Sequence, residues 1–144
     1  MEGPLEEELA SRTLEILAET SLRVTEPRKR LVKLMAGASR PLSAEEMHAA
    51  AGGALDLVTI YRNMAVFVEQ GVAQPIHLEN GKQLFELTQK GDHYHHIICR
   101  KCHRTERLEL CFGGELERYA TRKGFSELNH TIEVYGVCQD CGES

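Results

Sequence analysis

Hydrophobic positions recur along this chain at two different periods, and the change of period divides it. From Leu5 to Glu19, and again through "VTEPRKRLVKLMAG", apolar residues return every three or four positions, the spacing of one helix face. In the second of these segments Leu31, Leu34 and Met35 form the stripe, Thr25 is placed to cap, Pro27 suits a first turn and Gly37 ends the run. In "PLSAEEMHAAAGG", Ser43 and Glu46 have the spacing of a capping box, and Gly52-Gly53 stops a short third helix. "LDLVTIYRNMAVFVEQG" predicts a fourth, with Leu57, Ile60, Met64, Phe67 and Val68 on its buried side and Thr59, Arg62 and Asn63 on the other. Beyond Gly71 the period falls to two, and "VAQPIHLENGKQLFELT" reads as two short strands around an Asn80-Gly81 turn.

Three helices in mid-chain followed by a hairpin is the layout of a winged helix-turn-helix, in which the last helix projects into a major groove. A small α+β domain with no nucleic-acid role has the same outline, so pattern alone leaves both readings open. From about Gly91 a second module begins. "YHHIIC", "TERLEL" and "HTIEVYGVC" predict three strands, with "GELERYATRKG" as a helix between the second and third. A module of this size is small enough to need a metal staple or a partner. The predicted division is 1–88 and 89–144.

Charge sharpens the first half. The net charge of −5 argues against an anionic partner until it is divided along the chain. Met1 to Glu19 holds one basic residue against six acidic, Thr20 to Val66 seven against four, and the remainder nine against twelve. The basic stretch is the predicted helical unit, so DNA would be met there. No apolar run approaches the ~18 residues of a membrane span. The acidic start "MEGPLEEELASR" lacks the layout of a signal peptide, so the expected location is the cytoplasm, where thiols stay reduced.

Four of the five cysteines form two pairs, Cys99-Arg-Lys-Cys102 and Cys138-Gln-Asp-Cys141. Two such turns supply four thiolates and close a tetrahedral zinc shell, leaving no open position, so the expected role is structural. A redox dithiol needs a reactive cysteine at a helix start in a βαβ setting, which neither pair has. His77-Leu78-Glu79 matches the first element of a zinc deaminase, but no proline precedes either cysteine pair. With no nucleophile and base pair in view, the chain reads as neither an enzyme nor a binder of a small-molecule substrate. The fifth cysteine, Cys111, is left over and reads as a small buried apolar residue.

Between these cysteines and the first module stands "HYHH". On a strand His93 and His95 share one face and Tyr94 and His96 the other, so the first two can converge on a cation. His130 with Glu115 or Glu117 can complete an N/O shell suited to an exchangeable divalent ion.

Taken together, "LRVTEPRKRLV", "LSAEEMH", "TIYRNMAVFVEQG", "FELT", "HYHHIICRKC" and "NHTIEVYGVCQDC" resemble the ferric uptake regulator (Fur) family of metal-dependent transcriptional regulators, over nearly the whole chain. The resemblance implies an α+β fold: an N-terminal winged helix-turn-helix domain reads double-stranded DNA at a palindromic operator, and a small α/β domain with a three-stranded antiparallel sheet forms a homodimer. It implies DNA contacts from Arg28, Thr59, Tyr61 and Arg62, with Asn63 on the same outward face. It implies structural Zn2+ at Cys99, Cys102, Cys138 and Cys141, and a regulatory metal, Zn2+, Fe2+ or Mn2+, at His93, His95, Glu115 and His130, with Glu117 as the alternative carboxylate. A further family site lies at the hinge. Here Pro41 and Tyr94 stand where ligand histidines are common, leaving Glu86 and His96 with Glu106 or His77 as replacements. The implied function is repression with metal as corepressor, the alternative being a peroxide- or thiol-sensing regulator of the same fold.

Overall fold

A computed structural model describes residues 4–88, 93–111 and 113–142, with only the backbone described for residues 4–6 and 9. The chain forms two units, Met1–His93 and Tyr94–Ser144. The division therefore falls after His93, at the start of the histidine-rich strand, rather than after residue 88.

The first unit runs α1 (Pro4–Ala18), α2 (Glu26–Gly37), β1 (Leu42–Ser43), α3 (Ala44–Ala50), α4 (Leu57–Glu69), β2 (Ala73–His77) and β3 (Gln83–Leu87). Its helix starts are written in short side chains. The Thr25 hydroxyl accepts from the Arg28 N–H, and Ser43 and Glu46 form a reciprocal capping box. Asp56 accepts from the Thr59 N–H at 2.8 Å and so opens α4. That bond also holds the Asp56 carboxyl below its ordinary range. Leu17, Leu31, Val32, Met47, Ile60, Met64 and Phe67 are fully buried in one core. These are the apolar stripes of α1 to α4 brought face to face, as the helical period requires. The hairpin turns at Asn80-Gly81, where Gly81 adopts a φ of 89° and the Asn80 side chain accepts from the Lys82 N–H.

The period of two does not reveal β1, which is only two residues long. It pairs with β3 through Leu42 opposite Phe85, so the sheet order is β1-β3-β2, all antiparallel.

The second unit runs β4 (His95–Cys99), β5 (Thr105–Leu108), α5 (Gly113–Arg122), β6 (Glu133–Gly136) and α6 (Gln139–Gly142). Its sheet corrects the expectation of an antiparallel one. The order is β5-β4-β6, with β4–β5 antiparallel and β4–β6 parallel. A tight turn through Cys99 and His103, the latter at a φ of 66°, reverses the chain into β5. α5 and the loop after it then carry the chain to the other edge of the sheet, where β6 runs parallel to β4 and therefore antiparallel to β5. The short α6 after β6, which the sequence pattern did not indicate, carries Cys141.

Candidate metal centres and DNA-binding face

The register of β4 decides which side chains meet. His95, Ile97 and Cys99 lie on one face of the strand and His96 and Ile98 on the other. His95 and Cys99 are thus at opposite ends of the same face, about 13 Å apart at a strand rise of ~3.3 Å per residue. Among the described residues two groups of metal-ligating atoms converge, one at each end: Cys99, Cys102, Cys138 and Cys141, and His93, His95, Cys111 and His130. In each group the donor atoms lie within 4.8 Å of one another.

The four-cysteine group draws from the turn after β4 and from the β6–α6 junction. Cys102 Sγ and Cys138 Sγ are 3.7 Å apart. Thiolates at about 2.3 Å from a tetrahedral zinc are separated by about 3.8 Å, so the spacing fits. The backbone N–H groups of Cys138 and Cys102 point at Cys99 Sγ, at 3.3 and 3.5 Å. The N–H groups of Cys102 and Cys138 lower the Cys99 thiol to about 5. Sulfurs of Cys138 and Cys102, crowded against it, push Cys141 up to about 12. Four thiolates cannot occupy this volume without a cation to offset their charge, and a divalent ion bound by all four does so. The donor set fits zinc.

The second group is more compact. His95 Nε2 and His130 Nε2 are 3.0 Å apart, and each is 3.2 Å from Cys111 Sγ. Three donor atoms are therefore close enough to share one ion, and His93 is the fourth member of the group. On the outer side of the ring, His130 Nδ1 donates to Glu117 Oε1 at 3.1 Å. That bond fixes the tautomer and turns Nε2 inward, the arrangement by which carboxylates orient metal-binding imidazoles. Gly113, the first residue of α5, is buried beside the same ring. A Cβ there would lie 2.6 Å from His130 Nδ1, with the other nearby ring atoms closer still, so only glycine leaves room. Its N–H points at Cys111 Sγ at 3.4 Å.

His93, His95 and His130 thus come together as expected, whereas Glu115 does not join them. It is exposed along the outer face of α5 beside Arg118 and Arg122. Two residues apart on a helix, Glu115 and Glu117 point in widely different directions, and Glu117 is the one turned to the cluster. Cys111, expected as a buried apolar residue, is exposed and lies among the donors. Its sequence signal was weak: an odd cysteine two residues before a glycine that opens a helix.

Of the candidate hinge residues, His77 and Glu86 belong to the first unit and His96 and Glu106 to the second. His77 pairs with Gln83 and Glu86 with Gln74, so His77 and Glu86 project from opposite faces of the first sheet. His96 pairs with Arg107 and Glu106 with Ile97, so these two also project from opposite faces of the second. Glu86 and His96 are buried, while His77 meets Gln83 and Glu106 pairs with Arg104 at the surface.

On the helical unit, Arg62 and Tyr61 are exposed and Thr59 is half-buried near the start of α4. The Tyr61 hydroxyl donates to Glu45 of α3 at 3.0 Å. Asn63 turns inward instead: its Oδ1 accepts from Arg28 Nε at 3.0 Å and its Nδ2 donates to the Thr59 carbonyl at 2.9 Å. Arg28 also donates to the Arg23 carbonyl at 2.8 Å. Asn63 and Arg28 therefore lock α2 to α4 and set the aim of the outward residues.

The profile of the Ferric uptake regulator family matches residues 19–135. The ferric uptake regulation protein of Neisseria meningitidis is 35% identical over 130 residues, 87% of this chain and 90% of that one. The peroxide operon regulator of Bacillus subtilis is 29% identical over 134 residues, 90% and 91% of the two chains. Among solved structures, a zinc uptake regulator complexed with zinc and DNA superposes with a TM-score of 0.72 at 25% identity, over 95% of both chains. With the paired cysteine turns and the winged helical unit already in place, these matches settle the kinship: the chain belongs to the ferric uptake regulator family of metal-responsive, DNA-binding transcriptional regulators.

Proposed function

We propose that this protein is a cytoplasmic repressor that binds a palindromic operator as a homodimer when a divalent metal fills the histidine cluster. The observation that carries the reading is the existence of two separate donor groups on one strand face. The four-cysteine group closes a shell and suits a permanent structural zinc. The cluster at His93, His95 and His130 is partly open to solvent, so its ion can exchange. Dimer formation is supported by apolar side chains the second unit leaves exposed: Ile97 and Val134, which are cross-strand neighbours, with Leu116, Tyr119 and Phe125. Two copies present two α4 helices, which fits a palindrome, and the basic stretch carrying Arg28 and Arg62 fits phosphate contact. The chain's own residues hold the ion and orient its imidazoles. The ion supplies charge and cross-linking that favour one arrangement of the chain over others.

The test is operator binding by fluorescence anisotropy, on fragments selected from a randomised palindromic library. Protein holding only its structural zinc is compared with protein given a second metal equivalent. The expected result is tighter binding by at least about 100-fold, which corresponds to about 2.7 kcal/mol of coupling. Equal affinity for DNA in both states would remove the corepressor role.

A further inference from the structure

Cys111 is the feature that the family resemblance does not account for, and it sits where a carboxylate was expected. We propose that Cys111 Sγ is a ligand of the exchangeable metal, so that this centre is three imidazoles and one thiolate and takes zinc in preference to manganese(II). The proposal rests on the reading of this cluster as the sensing site and names the ion class it senses.

The distances carry it. An ion held by four tetrahedral donors, at about 2.3 Å from sulfur and about 2.0–2.1 Å from nitrogen, requires separations of about 3.6 Å between sulfur and nitrogen and about 3.3 Å between nitrogens. Cys111 Sγ lies 3.2 Å from each of two imidazole nitrogens, which are 3.0 Å from each other. Moving these atoms apart by about 0.3–0.4 Å gives the separations the ion requires. On binding, the Cys111 S–H gives its proton to solvent, the sulfur–metal bond forms, and the Gly113 N–H already aimed at the sulfur helps to hold the thiolate.

The carboxylate alternatives are engaged elsewhere. Glu115 lies on the exposed arginine-lined face of α5, and Glu117 is behind His130, bonded to its Nδ1. Glu117 orients a ligand and cannot at the same time replace one. Soft thiolate with imidazole suits zinc, whereas manganese and magnesium prefer oxygen donors, so exchanging carboxylate for thiolate moves the preference of the site toward zinc.

The experiment uses full-length protein carrying one zinc per chain, checked by elemental analysis, titrated with cobalt(II) as a spectroscopic probe. The expected result is a near-ultraviolet thiolate-to-cobalt charge-transfer band that saturates at one equivalent, with visible bands of a tetrahedral ion. Cys111→Ser should abolish the charge-transfer band and weaken zinc binding at this site by more than about 100-fold, beyond the 10–100-fold typical of an outer-shell loss, with the structural zinc retained. Glu115→Gln should leave band and affinity unchanged. In Cys111→Asp the ratio of zinc to manganese affinity should fall at least tenfold, by competition titration. Cobalt binding without the charge-transfer band, or loss of cobalt binding in Glu115→Gln, overturns the proposal. Operator binding measured on the same samples separates the two readings. Metal-dependent DNA binding without the band removes only the thiolate ligand, and the band without metal-dependent DNA binding removes only the sensing role.

Discussion

Replacing Gly113 by alanine tests whether the histidine cluster is a built site, because it adds one carbon and no charge, thiol or carboxylate. The new Cβ would lie 2.6 Å from His130 Nδ1, with Cε1 and Nε2 closer. Ordinary heavy-atom contact is about 3.5–4.0 Å, so the imidazole must retreat by about 1 Å or more. Metal–ligand distances tolerate about 0.2 Å, so a retreat of that size removes His130 from the shell. It also strains the bond from His130 Nδ1 to Glu117. Loss of one of four ligands should weaken metal binding by about 100-fold, or about 2.7 kcal/mol. The affinity is measured by competition with a chromogenic chelator on protein whose four-cysteine site already holds zinc. The fold should survive, since Gly113 is not in the left-handed region and the atoms displaced belong to one side chain. The protein should therefore still unfold cooperatively on heating while metal affinity collapses. Gly114→Ala is the control, because its Cβ would meet only Arg118 Nη1 at 3.7 Å. Wild-type affinity in Gly113→Ala, with the structural zinc intact, would refute the claim that His130 is held in the shell by that packing.

Other consequences follow from the same geometry. Cys138→Ser should release the structural zinc and abolish the near-ultraviolet circular dichroism of the second unit while the helical unit keeps its own melting transition, because a unit of that size lacks the core to stand without its staple. Arg62→Ala should weaken operator binding and reduce the slope of log affinity against log salt by about one, the signature of a lost phosphate contact, whereas Asn63→Ala should lower affinity with little change of slope, because Asn63 acts through Arg28. Ser43→Ala should cost about 1 kcal/mol of unfolding free energy in urea titration, the usual price of a lost cap, since it removes half of the capping box. Glu46 is held below the ordinary carboxylate range by its hydrogen bond from Arg40, so its contribution is present above that range and is lost as pH falls through its lowered folded value. Acid titration of Arg40→Ala should accordingly show a shallower loss of stability below about pH 4.5 than the wild type.

The first unit was legible because its determinants are local. Thr25, Ser43 and Glu46 mark helix starts by hydrogen bonds that span three residues, and the stripe of Ile60, Met64 and Phe67 specifies a buried face through period alone. The four-cysteine centre was legible for a related reason: each Cys-x-x-Cys turn fixes two donors within one turn of chain, and only the pairing of the turns depends on the fold. The sequence by itself therefore determined the helices and the hairpin of the first unit, the two cysteine pairs and the family. The tertiary structure alone decided how β6 enters its sheet, which way Asn63 faces, and which side chain stands fourth in the histidine cluster. Those outcomes turn on the approach of residues far apart in the chain. Cys111 reaches His95 across 16 positions and His130 across 19, and Gly113 leaves room for the ring between them. No periodicity or spacing records such an approach, because it is set by how the segments after β5 and before β6 bring Cys111 and His130 beside His95.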